Sequence, residues 1–211
     1  MSRMGNNIGN SAVSRMGISS MAMNTPNINK ATVKEMMIKM RDLPVNPALP
    51  LTITKVDFDD LLKSVAAFED PDIEIFQSLF ELFAIKGDDT ILYRDLIVGV
   101  VGCLIVGTLE EKFMLAFELY DIRGKNDLNR ADLRKVLHSI NDTASYFGDN
   151  VLEKLTVDDV VSDIFYSISV ANVVDEETMV SVEIKQCVEH LSQQESVLIF
   201  VNNEGPKKFG Q

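Results

Sequence analysis

Leu119-Tyr120-Asp121-Ile122-Arg123-Gly124-Lys125-Asn126-Asp127-Leu128-Asn129-Arg130-Ala131-Asp132-Leu133 carries the clearest fold signal in the chain. An apolar helix end runs into twelve residues bounded by two acids, Asp121 and Asp132, after which Leu133 resumes an apolar period. Helix, twelve-residue cation loop and helix succeed one another in this order in a well-defined motif. The middle of the loop speaks against the cation. Positions 3 and 5, where a hard divalent ion takes carboxylate or amide oxygens, hold Arg123 and Lys125, whose charges would repel it. The framework is kept while the ligands are depleted.

To either side, the apolar residue expected at loop position 8 recurs as Ile53, Ile91, Leu128 and Met179, at spacings of 38, 37 and 51. The first two spacings fit one helix-loop-helix unit, and the third leaves room for a polar insertion around Asn141 to Asn150. Four such units are expected to pair into two lobes, adjacent loops meeting at their position 8 residues as a short two-stranded bridge. The fold class is therefore all-α, with four EF-hand-like units.

On this alignment the first loop, Asn46 to Asp57, offers Asn46, Ala48, Pro50 and Asp57 at positions 1, 3, 5 and 12. The second, Ala84 to Asp95, offers Ala84, Lys86, Asp88 and Asp95. The fourth, Asn172 to Glu183, keeps Asn172, Glu176 and Glu183 but has Val174 at position 3, and those three are the candidate metal ligands. Position 6, which makes a sharp turn and favours glycine, holds Leu51, Asp89, Asn126 and Glu177. The expectation is a scaffold with no cofactor and no tight calcium site. Arg123 or Lys125 is expected to neutralise Asp121 and Asp132 in place of an ion.

Helix signals fill in the body. Thr32 to Glu35 and Thr108 to Glu111 read as capping boxes, and Asp70-Pro71 as a helix start. Ile73, Phe76, Leu79, Phe80 and Phe83 form one apolar stripe; Phe113, Ala116, Phe117 and Tyr120 form another. Thr156 to Ser169 reads as a further amphipathic helix. Leu96 to Val106 is the most apolar segment, too short for the roughly 20 residues that span a bilayer. It reads as a buried helix whose Gly99 and Gly102 allow close contact.

The chain has 211 residues and a net charge of -12, which disfavours nucleic acid and anionic membrane surfaces. Residues 1–30 carry three basic residues and no acid, leaving the remainder at -15. That first segment is rich in Met, Asn, Ser and Gly and is expected to be a flexible or partner-ordered tail. Residues 31–106 and 107–195 form the N-terminal and C-terminal lobes, and 196–211 a C-terminal tail. The run Val197-Leu198-Ile199-Phe200-Val201 is expected to cover the chain's own hydrophobic groove in preference to adding contacts to a partner. Cys103 and Cys187 suggest reduced, buried thiols, and Met-Ser-Arg at the start gives no N-myristoyl signal. A soluble cytoplasmic protein is expected. His138 and His190 are isolated, no nucleophile or phosphate loop accompanies them, and an enzyme is not expected.

Gly107-Thr108-Leu109-Glu110-Glu111-Lys112, followed by Ala116-Phe117-Glu118-Leu119-Tyr120-Asp121, resembles the third hand of the neuronal calcium sensor, calcineurin B and calaxin group of the EF-hand superfamily. The long gap before the last hand is similar too. The resemblance implies a hydrophobic groove that takes a partner's helix, with Phe76, Phe80, Phe83, Phe113, Phe117 and Tyr120 as its lining here. It further implies a calcium-independent adaptor or structural subunit, given the depleted loops. Calaxin-like relatives point toward a ciliary or flagellar axoneme, with dynein-associated or microtubule-doublet proteins as partners. The alternative is a calcium-responsive regulatory subunit of a motor, channel or phosphatase.

Overall fold

In a computed structural model, the structure describes residues 27–41, 52–85, 89–121, 124–147, 152–173, 179–194 and 197. The elements run α1 Lys30–Arg41, β1 Thr52–Thr54, α2 Lys55–Ser64, α3 Asp70–Phe83, β2 Thr90–Leu92, α4 Tyr93–Leu104, α5 Leu109–Tyr120, β3 Asp127–Asn129, α6 Arg130–Tyr146, α7 Lys154–Asn172, β4 Ser181–Glu183 and α8 Ile184–Leu191. Each strand sits between two helices. β1 pairs antiparallel with β2 and β3 with β4, so the four helix-strand-helix units close into two pairs. This is the all-α, EF-hand-like architecture expected from the repeats.

Local chemistry sets the helix starts, with shifts from the expected positions. α5 has the expected capping box, Thr108 accepting from the Glu111 N–H at 3.2 Å and Glu111 from the Thr108 N–H at 3.0 Å. α1 starts earlier than Thr32. Asn29 Oδ1 accepts from the Ala31 and Thr32 amides, and Thr32 Oγ1 accepts from the Asn29 N–H, so the box closes on Asn29. At α3 the cap is Glu69, because Asp72 reaches back to the Glu69 N–H at 2.8 Å, which places Pro71 in the first turn. Asp72 also accepts from Asn27 Nδ2 at 3.1 Å, and Ile28 is buried, so the segment before α1 is fastened to α3.

The polar stretch after Asn141 does not open a loop at once. α6 continues to Tyr146, and Asn141 uses both ends of its amide on Leu152, accepting from the N–H at 2.7 Å and donating to the carbonyl at 2.9 Å. That pair fixes the approach to α7, which is longer at both ends than Thr156 to Ser169.

One continuous core joins the lobes. α4 is buried along nearly its whole length and packs on α6 across the lobe boundary. The contact depends on the two glycines. A Cβ at Gly99 would overlap Thr143 Oγ1 and lie 3.0 Å from the Ser139 carbonyl, while one at Gly102 would come within 2.6 Å of Ile140 Cγ1. Cys103 Sγ is 3.4 Å from the Ile140 carbonyl, and Lys112 Nζ donates at 3.2 Å to the Gly102 carbonyl near the C-terminus of α4. Burial lowers the Lys112 pKa, so this amine gives its charge to a helix end at some desolvation cost.

Gly99→Ala should therefore cost about 2 to 3 kcal/mol, because its neighbours include main chain that cannot move aside. Gly102→Ala should cost about 1 to 2 kcal/mol, less than Gly99→Ala because the atoms it meets belong to the Ile140 side chain and none to main chain, although both γ carbons of that β-branched residue lie within 2.9 Å. Urea unfolding of the two variants measures the difference; equal losses would contradict the seam as described.

Candidate functional site

The loops are the candidate site, and strand register fixes which residue occupies which position. Ile53 pairs with Ile91 and Leu128 with Val182. The first three residues hold the position expected from sequence, whereas the fourth loop is displaced by three: its position 8 is Val182, not Met179. A second bond gives the same answer. The Lys55 N–H, two residues beyond Ile53, donates to the Asp89 carbonyl at 3.1 Å, and the Ile184 N–H, two beyond Val182, donates to the Asn126 carbonyl at 3.0 Å.

Counting from Val182 puts Asp175, Glu177, Met179, Glu183 and Gln186 at positions 1, 3, 5, 9 and 12. Glu183 thus moves from the bidentate position to the N-cap of α8, and Asn172 becomes an exposed residue at the end of α7. Glu176 lies outside the described residues. With Val182 at position 8, Asn172 falls outside the loop and Glu183 at position 9, not at the positions 1 and 12 expected of them.

The position 12 acids of the other loops are engaged by the protein itself. Asp57 Oδ2 accepts from Thr54 Oγ1 at 2.7 Å, and Asp132 Oδ2 accepts from Asn129 Nδ2 at 2.7 Å. Thr54 and Asn129, both at position 9, cap α2 and α6 in the same stroke. Asp95 of the second loop accepts from the hydroxyl of Tyr120, the last residue of α5 in the other lobe. Burial raises the Asp95 pKa, opposed by the Tyr120 hydrogen bond and by Lys135 and Arg94. Burial and the Asp95 charge push Tyr120 upward as well, so it stays a donor at neutral pH.

In the third loop Asp121 accepts from two backbone amides, Lys125 N at 2.9 Å and Asn126 N at 2.6 Å. Lys125 makes no ion pair among the described residues, Arg123 lies outside them, and main-chain donors hold the Asp121 carboxylate. Asn126 adopts φ 63° at position 6, the left-handed turn that glycine usually makes and asparagine tolerates. A cavity of about 380 Å³ opens here beside Tyr120, Asp121, Asp127, Asn129, Asp132 and Ser181. Lys125, at position 5, adds a cation to the lining, where calcium takes an oxygen. Among the described residues no three His, Cys, Asp or Glu side chains converge as a metal centre would need.

The expected partner groove is a core. Phe76, Phe80, Phe113, Phe117 and Tyr120 are buried, and Phe83 is half-buried against them. Phe58 packs on Phe76 and Phe80 at ring separations of 6.4 and 5.3 Å, and Phe113 stacks on Phe117 at 5.7 Å. Five of the expected groove rings thus belong to the core, and Phe83 keeps a partly exposed edge. Both cysteines are buried, and burial pushes the Cys187 thiol up to about 12, far from a reactive thiolate. No described helix is long and apolar enough to cross a membrane.

Paired helix-loop-helix units bridged at position 8 define an EF-hand-like protein. In sequence, the chain is 30% identical over 89 residues to the Calcium-binding protein NCSA of Dictyostelium discoideum, covering 42% of this chain and 46% of that protein. The match thus spans about half the length of that relative, and it supports the EF-hand superfamily without singling out a group within it. No family model matches the chain.

Substitutions at the second and fourth loops probe these arrangements. Tyr120→Phe should cost about 1 to 3 kcal/mol at pH 7 by leaving a part-buried carboxylate without its donor. Loss of that donor raises Asp95 further, so the deficit should shrink as the pH falls through its raised range and the acid becomes neutral; unfolding curves against pH read it. Met179→Asp with Gln186→Glu should create calcium binding in the fourth loop, detectable by calorimetry, only if Val182 holds position 8.

Proposed function

We propose that this chain is a noncatalytic, largely calcium-independent EF-hand-like adaptor or structural subunit that binds a helix of a partner protein within a larger assembly. The observation carrying this reading is the engagement of Asp57, Asp95 and Asp132 in the protein's own hydrogen bonds. Calcium opens sensor hands by drawing the position 12 carboxylate into the loop. Here each of those acids already serves a cap or the lobe boundary, so the ion would have to displace stabilising contacts.

The partner foothold we assign lies in the N-terminal lobe, where Ile38 on α1 and Val56 on the adjoining α2 are 59% and 70% exposed. A partner bearing basic residues suits the chain's charge of -12. Placement in an axoneme carries over from the calaxin resemblance alone. A calcium-responsive subunit is the second reading, favoured by the name of the Dictyostelium relative and by the acids Asp175 and Glu177 at positions 1 and 3 of the fourth loop.

Tagged protein purified from its native cells in calcium and in chelator separates the two. The adaptor reading expects the same partners in both, and their loss on Ile38→Glu with Val56→Glu. Partners gained or lost with calcium would establish the second reading instead.

A further inference from the structure

α7 presents an unusual outer face. Tyr166 and Val170 are each 59% exposed and Val173 is 93% exposed, at the i, i+4, i+7 spacing of one helical stripe. Asp163 and Asp159, both exposed, continue the same stripe toward the N-terminus of the helix. At 3.6 residues per turn all five fall within about 80° of arc and span about 21 Å. Val173 has a second peculiarity. It closes α7 at φ 54° and ψ 41°, a left-handed cap where glycine or asparagine is preferred and a β-branched residue is strained. Neither burial nor backbone preference accounts for a valine there.

We propose that the C-terminal segment, residues 198–208, docks in cis along this stripe. Val197 is wholly buried after α8, and α8 packs against α7, so the chain leaves the core of the same lobe. The residues beyond Val197 follow the stripe in order, with one acid, Glu204, between the apolar run and the lysines: Leu198-Ile199-Phe200-Val201 would cover Val173, Val170 and Tyr166, and Lys207-Lys208 would then reach Asp163 and Asp159. The lengths agree. Phe200 to Lys207 spans about 23 Å when extended, against about 21 Å of stripe. The strained, exposed valine is then explained as a contact for the segment.

This docking concerns a face separate from the Ile38 and Val56 foothold and needs no partner, so either can fail without the other. The chain has no tryptophan, and Phe200→Trp in the full chain supplies a single reporter. Docking expects blue-shifted emission and acrylamide quenching several-fold weaker than in urea, independent of protein concentration. Adding Val170→Lys or Asp163→Lys should raise quenching several-fold, with circular dichroism showing the fold intact. Val173→Gly should raise the melting temperature while weakening the shielding. An exposed indole in the Phe200→Trp protein would overturn the proposal, as would shielding indifferent to both lysine variants. Shielding that grows with concentration would overturn it too, assigning the stripe to a second copy of the chain.

Discussion

The packing of α4 on α6 at Gly99 governs how the remainder of the molecule is assembled. Without a Cβ, the α4 backbone comes close enough for Thr143 and the Ser139 carbonyl to fill the space a side chain would occupy. That approach brings the lobes into one core, and three polar contacts line the same boundary: Cys103 with the Ile140 carbonyl, Lys112 with the Gly102 carbonyl, and Tyr120 with Asp95. The last of these takes the position 12 acid of the second loop across the boundary. Lobe docking and loop chemistry are therefore physically the same event.

Protein contacts engage the position 12 acids of the first and third loops in a similar way. Position 9 supplies an N-cap whose side chain also holds the position 12 carboxylate, Thr54 with Asp57 and Asn129 with Asp132. Asp121 closes the third loop on two backbone amides. Hydrogen bonds to a charged carboxylate are among the stronger ones available to a protein. They satisfy the acids locally.

Much of this was legible in the residues. The spacing of Ile53, Ile91 and Leu128 located three loops and the strand register between the first two, and the absence of a side chain at Gly99 and Gly102 marked a close helix contact. The fourth loop misled because Met179 and Val182 are both apolar and stand three apart, so periodicity could not choose between them; only pairing with Leu128 could. The cap of α1 misled for a similar reason: Asn29 and Thr32 both cap well, and Thr32 instead turned back onto Asn29 and Asn27. The aromatic stripes were recognised, but a stripe records only that a face is covered. It cannot tell a lobe closed on its own rings from one open to a partner. The left-handed turn at Val173 left no signal at all, since valine is the wrong residue for it.

Native-state hydrogen exchange on the full chain, followed in calcium and in chelator, probes both the joined lobes and the proposed indifference to the ion. If the lobes are one unit held by their own contacts, the amides of α4 and α6 should exchange together at the slowest rate in the molecule, unchanged by calcium. Independent exchange of the two helices, or protection that rises in either lobe with calcium, would contradict it.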